Sequence, residues 1–180
     1  YLYVTAGNNL YSIDNQYGDF PPAGFHVPGE MSGIWQHPIK LLDGFTLSIQ
    51  DGAKSIVLDK CDSFITYPLA TQFKYDGADD LEIVRTDFVP DSLPVLAVEY
   101  QVRNKTNQPK EILLSLTADT DLSPVWLGER SGMTDTRDQY TGLIHNTVFA
   151  KDSLNNWFVG VTSDQDSLSI DDLGNSPVQG

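Results

Sequence analysis

The sequence predicts an all-β protein, a large two-sheet antiparallel β-sandwich in one domain. Three observations carry this. Short apolar or alternating runs recur along all 180 residues; turn-forming residues separate them; and no stretch repeats apolar residues at the three- and four-residue spacing of an amphipathic helix. Around ten or eleven strands at this spacing fit two sheets packed face to face, with a closed barrel as the alternative.

Leu2 to Thr5 and Leu10 to Asp14 form the first expected pair, across Gly7-Asn8-Asn9. Phe45 to Gln50 and Ser55 to Leu58 form the second, across Asp51-Gly52, a dipeptide that favours hairpin turns. Ser63 to Tyr67, Thr71 to Tyr75 and Leu81 to Phe88 follow as a meander, the last two joined by the polar tip Asp76 to Asp80. In Val95 to Arg103, Leu96, Val98, Tyr100 and Val102 share one face while Glu99, Gln101 and Arg103 share the other, the alternation of a half-buried strand. Glu111 to Ala118 comes next, after a turn ending in Pro109. Gly142 to Ala150 and Trp157 to Thr162 make a final pair, and the tail from Ser163 to Gly180 reads as polar and loosely held.

Neither a repeat of fixed period nor a linker rich in Gly, Ser or Pro divides residues 1 to 180, so one domain is the simplest organisation. A chain of this length buries roughly 70% of its unfolded surface. Its 40% hydrophobic and 20% charged residues are those of an ordinary globular protein.

The 25 acidic and 11 basic side chains give a formal net charge of -14. Phosphate backbones and anionic membrane surfaces are held by clustered Lys and Arg, so no nucleic acid and no membrane partner is expected. An acidic solvated surface explains the charge. Cys61 is the single cysteine, which excludes an internal disulfide and leaves no Cys/His spacing for zinc. We expect neither a metal nor a cofactor. The start at Tyr1, without a Met, a basic n-region or an apolar h-region, reads as a processed or engineered boundary, and a periplasmic or secreted location is favoured over a cytoplasmic one.

Gln16 to Leu42 and Asp119 to Asp138 break the strand rhythm, and connections of this length in a compact domain are usually functional or disordered. Their aromatic and apolar content argues for order. The first leads into Gly33-Ile-Trp-Gln-His-Pro-Ile-Lys-Leu-Leu-Asp-Gly-Phe45, which reads as a built loop entering a strand. Trp35, His37, Lys40 and Asp43 combine a flat apolar ring with hydrogen-bonding groups, the chemistry that sugar recognition needs. Trp126 with Glu129 and Arg130 repeats the combination in the second segment. The competing reading buries both indoles to fasten the long segments onto the sandwich. Trp157, in an apparent strand, reads as core.

No serine nucleophile motif, phosphate-cradling glycine loop or metal-spaced histidine pair occurs, and His26, His37 and His145 lie in different segments. Asp119, Asp121, Glu129 and Asp135 are the carboxylates from which a glycosidase pair would be drawn, but an acidic chain clusters carboxylates in any case. Asp119-x-Asp121 does not begin an EF-hand loop, because Arg130 stands at the twelfth position.

The run Met31 to Phe45, together with Arg85-Thr-Asp-Phe-Val-Pro-Asp91, Pro94 to Asn104 and Asp121 to Arg130, resembles the amino-terminal domain of bacterial proteins related to glycogen debranching enzymes and other glycoside hydrolases with an (α/α)6 toroid. The resemblance covers most of the chain. It implies a non-catalytic N-terminal sandwich within a larger enzyme, whose catalytic residues belong to a C-terminal helical catalytic domain of the same polypeptide. It also implies that sandwich loops border the oligosaccharide site: Trp35, His37, Lys40 and Asp43, with Trp126, Glu129 and Arg130. No catalytic residue of the family maps onto this chain. The alternatives are a free-standing carbohydrate-binding module and a structural or adhesive sandwich without a ligand. A binding module requires an exposed Trp; a packing domain requires buried indoles and an exposed apolar patch.

Overall fold

A computed structural model describes residues 1–76 and 80–164. The protein is all-β and sandwich-like, with thirteen strands among the described residues and no barrel. The first sheet contains β1 (Leu2–Ala6), β2 (Tyr11–Asn15), β3 (Gly33–Gln36), β4 (Ile39–Asp51), β5 (Lys54–Val57) and β10 (Ile112–Thr120). The second contains β6 (Ser63–Thr66), β7 (Thr71–Tyr75), β8 (Leu81–Phe88) and β9 (Ala97–Asn104). The third contains β11 (Asp138–Ile144), β12 (Thr147–Asp152) and β13 (Phe158–Thr162). All named strand pairs are antiparallel.

β4 organises the first sheet. Its first half pairs with β3, its second half with β5, and its opposite edge with β10 from Asp51 back to Leu42. The period of two then decides the layers. Leu47 and Ile49 of β4 point to one side and meet Phe73, Tyr75, Leu81 and Ile83 of the second sheet, with Leu58 and Cys61 closing the cluster. Ile49, Phe73 and Ile83 are fully buried, each stabilising the fold by about 1.5–3 kcal/mol of apolar transfer. A second cluster lies under the first half of β4, where Leu10, Ile34, Ile39, Leu41, Leu42, Phe45, Val89 and Leu122 receive Trp157, just before β13, with Val159 and Val161 of the third sheet.

A buried polar layer accompanies the two apolar clusters. Thr5, Ser12 and Asp14 of β1 and β2 are buried with Thr71, Arg85 and Asp87 of β7 and β8, and Thr5 Oγ1 lies 3.0 Å from Thr71 Oγ1. The Arg85 guanidinium donates Nε to Asp87 Oδ1 at 2.8 Å and one terminal nitrogen to Oδ2 at 2.5 Å, while the other reaches the Gly18 carbonyl at 2.8 Å. The rings of Phe45 and Phe73 pack on it, at 4.4 and 4.8 Å from ring centroid to guanidinium carbon. The Arg-x-Asp spacing puts both residues on the buried face of β8, where two ionised groups persist because they satisfy each other.

The structure refines one expectation and corrects three. Among the described residues the strands divide among three sheets, because β11 to β13 pair only with one another. The run 33–45 is no loop: β3 and the first half of β4 form a hairpin turning at His37 and Pro38, within a segment expected to be irregular up to Leu42. Gly33 fits there because its φ of 122° is open to glycine, and a Cβ would lie 2.2 Å from the Leu42 carbonyl oxygen. Gly142 to Ala150 is two strands, since His145 and Asn146 both adopt positive φ, 49° and 60°, and close a two-residue hairpin turn that contains no Gly. β10 runs on to Thr120 and β11 begins at Asp138, so the second irregular segment is shorter at both ends. The expected tail beyond Asp164 and the middle of the 76–80 tip lie outside the described residues.

Candidate functional site

The two irregular segments, far apart in sequence, are zipped together. Lys40 N donates to the Ser123 carbonyl and Val125 N to the Pro38 carbonyl, each at 2.8 Å, making a short bridge between Ile39 and Pro124. The loop before β3 is folded on itself by Met31 N donating to the Ala23 carbonyl at 2.7 Å.

Lys40 is the centre of this junction. Its side chain is fully buried, and its ammonium contacts Glu30 at 3.3 Å, Asp121 at 3.1 Å and Asp43 through a short hydrogen bond. Burial alone would push the ammonium toward neutrality, but the bond to Asp43 and the charges of Asp121, Asp43 and Glu30 more than offset it and hold Lys40 above the ordinary lysine range. Burial pushes the Glu30 carboxyl up, against the lowering effect of Lys40. The carboxylate oxygens of Glu30, Asp43 and Asp121 lie within 4.8 Å of one another, a set of hard oxygen donors of the kind that holds a divalent cation. Here the ammonium sits among them, and it ties the loop before β3, the β3–β4 hairpin and the segment after β10 into one unit.

Trp35 is buried beside this node. Its indole nitrogen donates to the Met31 carbonyl at 3.1 Å, its ring lies nearly parallel to Tyr11 with centroids 6.4 Å apart, and the Lys40 ammonium is 5.9 Å from the ring. It offers no flat face to solvent. Next to it an open groove of about 230 Å³ runs along the β1–β2 turn and the β3–β4 turn, lined by Asn8, Asn9, Tyr11, Gln36 and His37 with Gly7 and Leu10. His37 is exposed, and the Tyr11 ring is half-buried. Burial pushes the Tyr11 phenol up, so it remains a neutral donor and acceptor.

Trp126 takes a different position. Its ring stacks on His26 at 4.1 Å between centroids and 25° between planes, and Arg130 approaches at 5.7 Å. The His26–Trp126 stack joins the loop before β3 to the segment after β10 at the surface. Phe25, Val27, Met31 and Leu127, on the same two segments, are exposed, with Phe25 94% accessible. Glu129 begins a 3-10 turn, Glu129–Ser131; its side chain lies outside the described structure.

The seven candidate site residues therefore separate. Lys40 and Asp43 share the ion-pair node with Trp35 packed against it; His37 lines the groove; Trp126 and Arg130 form the surface stack. Of the carboxylates considered for hydrolysis, Asp121 is taken up by Lys40, and burial pushes Asp135 up to about 6, with repulsion from Asp121, Asp138 and Asp152 adding to it. Sequence reasoning does not reach Glu30 as an ion-pair partner, His26 as a stacking partner, or the groove residues Asn8, Tyr11 and Gln36. The paired asparagines of the β1–β2 turn are the one legible signal for the groove, and turn formation alone accounts for them equally well.

Comparison with protein-family models, with curated proteins and with solved structures gives no match to this chain.

Proposed function

We propose that this chain is a non-catalytic β-sandwich domain that packs against a helical catalytic domain of a glycoside hydrolase related to glycogen debranching enzymes. One observation carries the packing role. Trp35 is buried at the junction of the two long segments, while Phe25, Val27, Met31, Trp126 and Leu127 of those same segments are exposed. Trp35 lacks the accessible face that a binding module needs, and the one exposed indole of the two, Trp126, has His26 stacked on its ring and Arg130 beside it, on segments that also expose Phe25, Val27 and Leu127. Large exposed apolar side chains gathered on ordered loops mark a surface made to be covered. The hydrolase context rests on the sequence resemblance.

The groove beside His37 favours a second role for the same domain. Its amides, imidazole and Tyr11 ring are suited to neutral hydroxyl-rich ligands, and a groove of about 230 Å³ accommodates a single sugar ring. In this reading it borders the oligosaccharide site of the neighbouring domain.

The test is to produce the chain and the helical domain of the same gene product separately and to measure their association by sedimentation. Phe25→Ser with Leu127→Ser should weaken association at least about tenfold, an effect of the size removing two exposed anchors produces. Unchanged affinity sinks the packing role, and a gene product without helical repeats sinks the enzyme context. Calorimetric titration of the isolated chain with maltooligosaccharides distinguishes the groove reading, since binding there must be lost in His37→Ala and Tyr11→Ala.

A further inference from the structure

β10 ends the first sheet, and among the described residues no strand pairs its outer edge. Long edge strands are normally protected by charges, prolines or bulges. The stretch 112–118 reads Ile-Leu-Leu-Ser-Leu-Thr-Ala, with no charge, no proline and regular pairing to β4; the register shifts only at Asp119/Thr120. The edge strand β9 of the second sheet is different, because Glu99, Gln101 and Arg103 line its exposed face.

Exposure of β10 also falls on both faces. Leu114 and Leu116, paired with the buried Ile49 and Leu47, remain 45% and 47% exposed, and Leu113 on the opposite face is 63% exposed. The apolar layer thus reaches β10, but its cover does not. A partner laid on one face would shield residues of one parity only; a strand added beside β10 shields both and also satisfies its outer backbone groups.

The ends of β10 indicate the chemistry of that strand. Glu111 precedes it and Asp119 lies at its far end, whereas Lys110 is engaged by Asp51 and Asp80. An open groove of about 330 Å³, lined by Gln50, Gly52, Glu111, Ile112 and Leu113, leaves room at the first end for a long side chain. A second copy of this chain is disfavoured: antiparallel self-pairing about Ser115 would set Glu111 opposite Asp119 at both ends, and each copy carries a net charge of -14.

We propose that the outer edge of β10 accepts a β-strand from another polypeptide segment, one with alternating apolar residues and a basic residue near each end. This surface differs from the Phe25–Trp126 patch, and its test is independent of that reading. Amide hydrogen exchange would be followed in the full chain with the acetylated peptide Lys-Val-Thr-Val-Thr-Val-Thr-Val-Lys, whose terminal lysines fall opposite Glu111 and Asp119 when it pairs antiparallel about Ser115, and with the same peptide carrying Glu at both ends. The Lys-ended peptide should slow exchange in 113–118 by at least about tenfold and leave β9 unchanged, as newly formed ladder bonds require. The Glu-ended peptide should have no effect, and Leu114→Lys with Leu116→Lys should abolish the protection. Three results overturn the proposal: no protection by the Lys-ended peptide, equal protection by both peptides, or protection that rises with protein concentration alone, which would make a second copy the occupant.

Discussion

Replacing Lys40 by Met keeps the length of the side chain and removes its charge, so a change in stability reports the ammonium itself. In the wild type one buried cation stands among Glu30, Asp43 and Asp121. Without it three carboxylates face one another within 4.8 Å. Breaking a fully buried pair costs about 3–5 kcal/mol. The Glu30 and Asp43 side chains are 47% and 56% exposed, so water recovers part of this, and about 3 kcal/mol is expected. For a chain of 180 residues that corresponds to a fall of about 6–12 °C in Tm. The sign with pH comes from the raised Lys40 pKa: its stabilisation is complete below the unfolded lysine value near 10.4 and is lost as pH rises through the higher folded value. At neutral pH the full effect is therefore present. It should shrink at acid pH, as the Glu30 carboxyl, which burial pushes up, takes up a proton and the repulsion falls. Thermal melts of wild type and Lys40→Met across this range check both parts. A melting difference under about 2 °C at neutral pH would refute the assignment of Lys40 as the clamp of the junction.

In Lys40→Ala, which vacates the space as well as the charge, millimolar Ca²⁺ should raise Tm while leaving the wild type unmoved, because three carboxylates without an ammonium form an oxygen site. The Asp14 side chain is fully buried with no hydrogen-bond partner for either oxygen among the described residues, and burial pushes its carboxyl up to about 7 despite Arg85 at 3.7 Å. Its folded value lies above the unfolded one, so wild-type stability should decline as pH rises from about 4 to 7. The penalty reaches at most about 4 kcal/mol at 1.36 kcal/mol per pH unit. Asp14→Asn should remove this decline, seen as urea midpoints that differ little between about pH 5 and pH 8. Gly33→Ala should destabilise by more than about 2 kcal/mol, since the added Cβ meets the Leu42 carbonyl oxygen at a φ that alanine disfavours; a urea midpoint equal to wild type would contradict the hairpin geometry.

Strands are legible in the sequence wherever one face is buried and the other wet. β7 and β8 alternate strictly, and their expected limits, Thr71 to Tyr75 and Leu81 to Phe88, match the structure. The first half of β4 is not legible because Ile39, Lys40, Leu41 and Leu42 are all buried, on both faces, so the period of two disappears. A lysine at the centre of such a run reads as a solvent-facing group, and only the remote Glu30 and Asp121 make its burial tolerable. A non-local cause also hides the hairpin at His145 and Asn146: neither turn residue is Gly, and the left-handed turn is held by the pairing of β11 with β12.

Trp35, His37, Lys40 and Asp43, the four residues that suggest a sugar site in the sequence, share one hairpin, yet the pleat and the turn send them to different surroundings. Trp35 and Lys40 are register partners across β3 and β4, so they are drawn into the same interior and contact each other, whereas His37 falls in the turn and lines the groove. Proximity in sequence therefore counts for less than strand register. Register also explains why Asp43 stays at the surface and still binds Lys40: the pairing shifts between Ile34 and Trp35, and the carboxylate reaches back over three residues to the buried ammonium. A polar cluster of this kind first serves to fix the segments on which Phe25, Trp126 and Leu127 are displayed. Loss of the clamp should consequently loosen those segments before the β10 edge, because β10 is held by its own ladder to β4 and does not depend on the ammonium. In Lys40→Met, amide exchange should therefore accelerate in 23–31 and 121–127 while 113–116 keep their wild-type rates, and equal acceleration throughout would separate the clamp from the patch it is argued to hold.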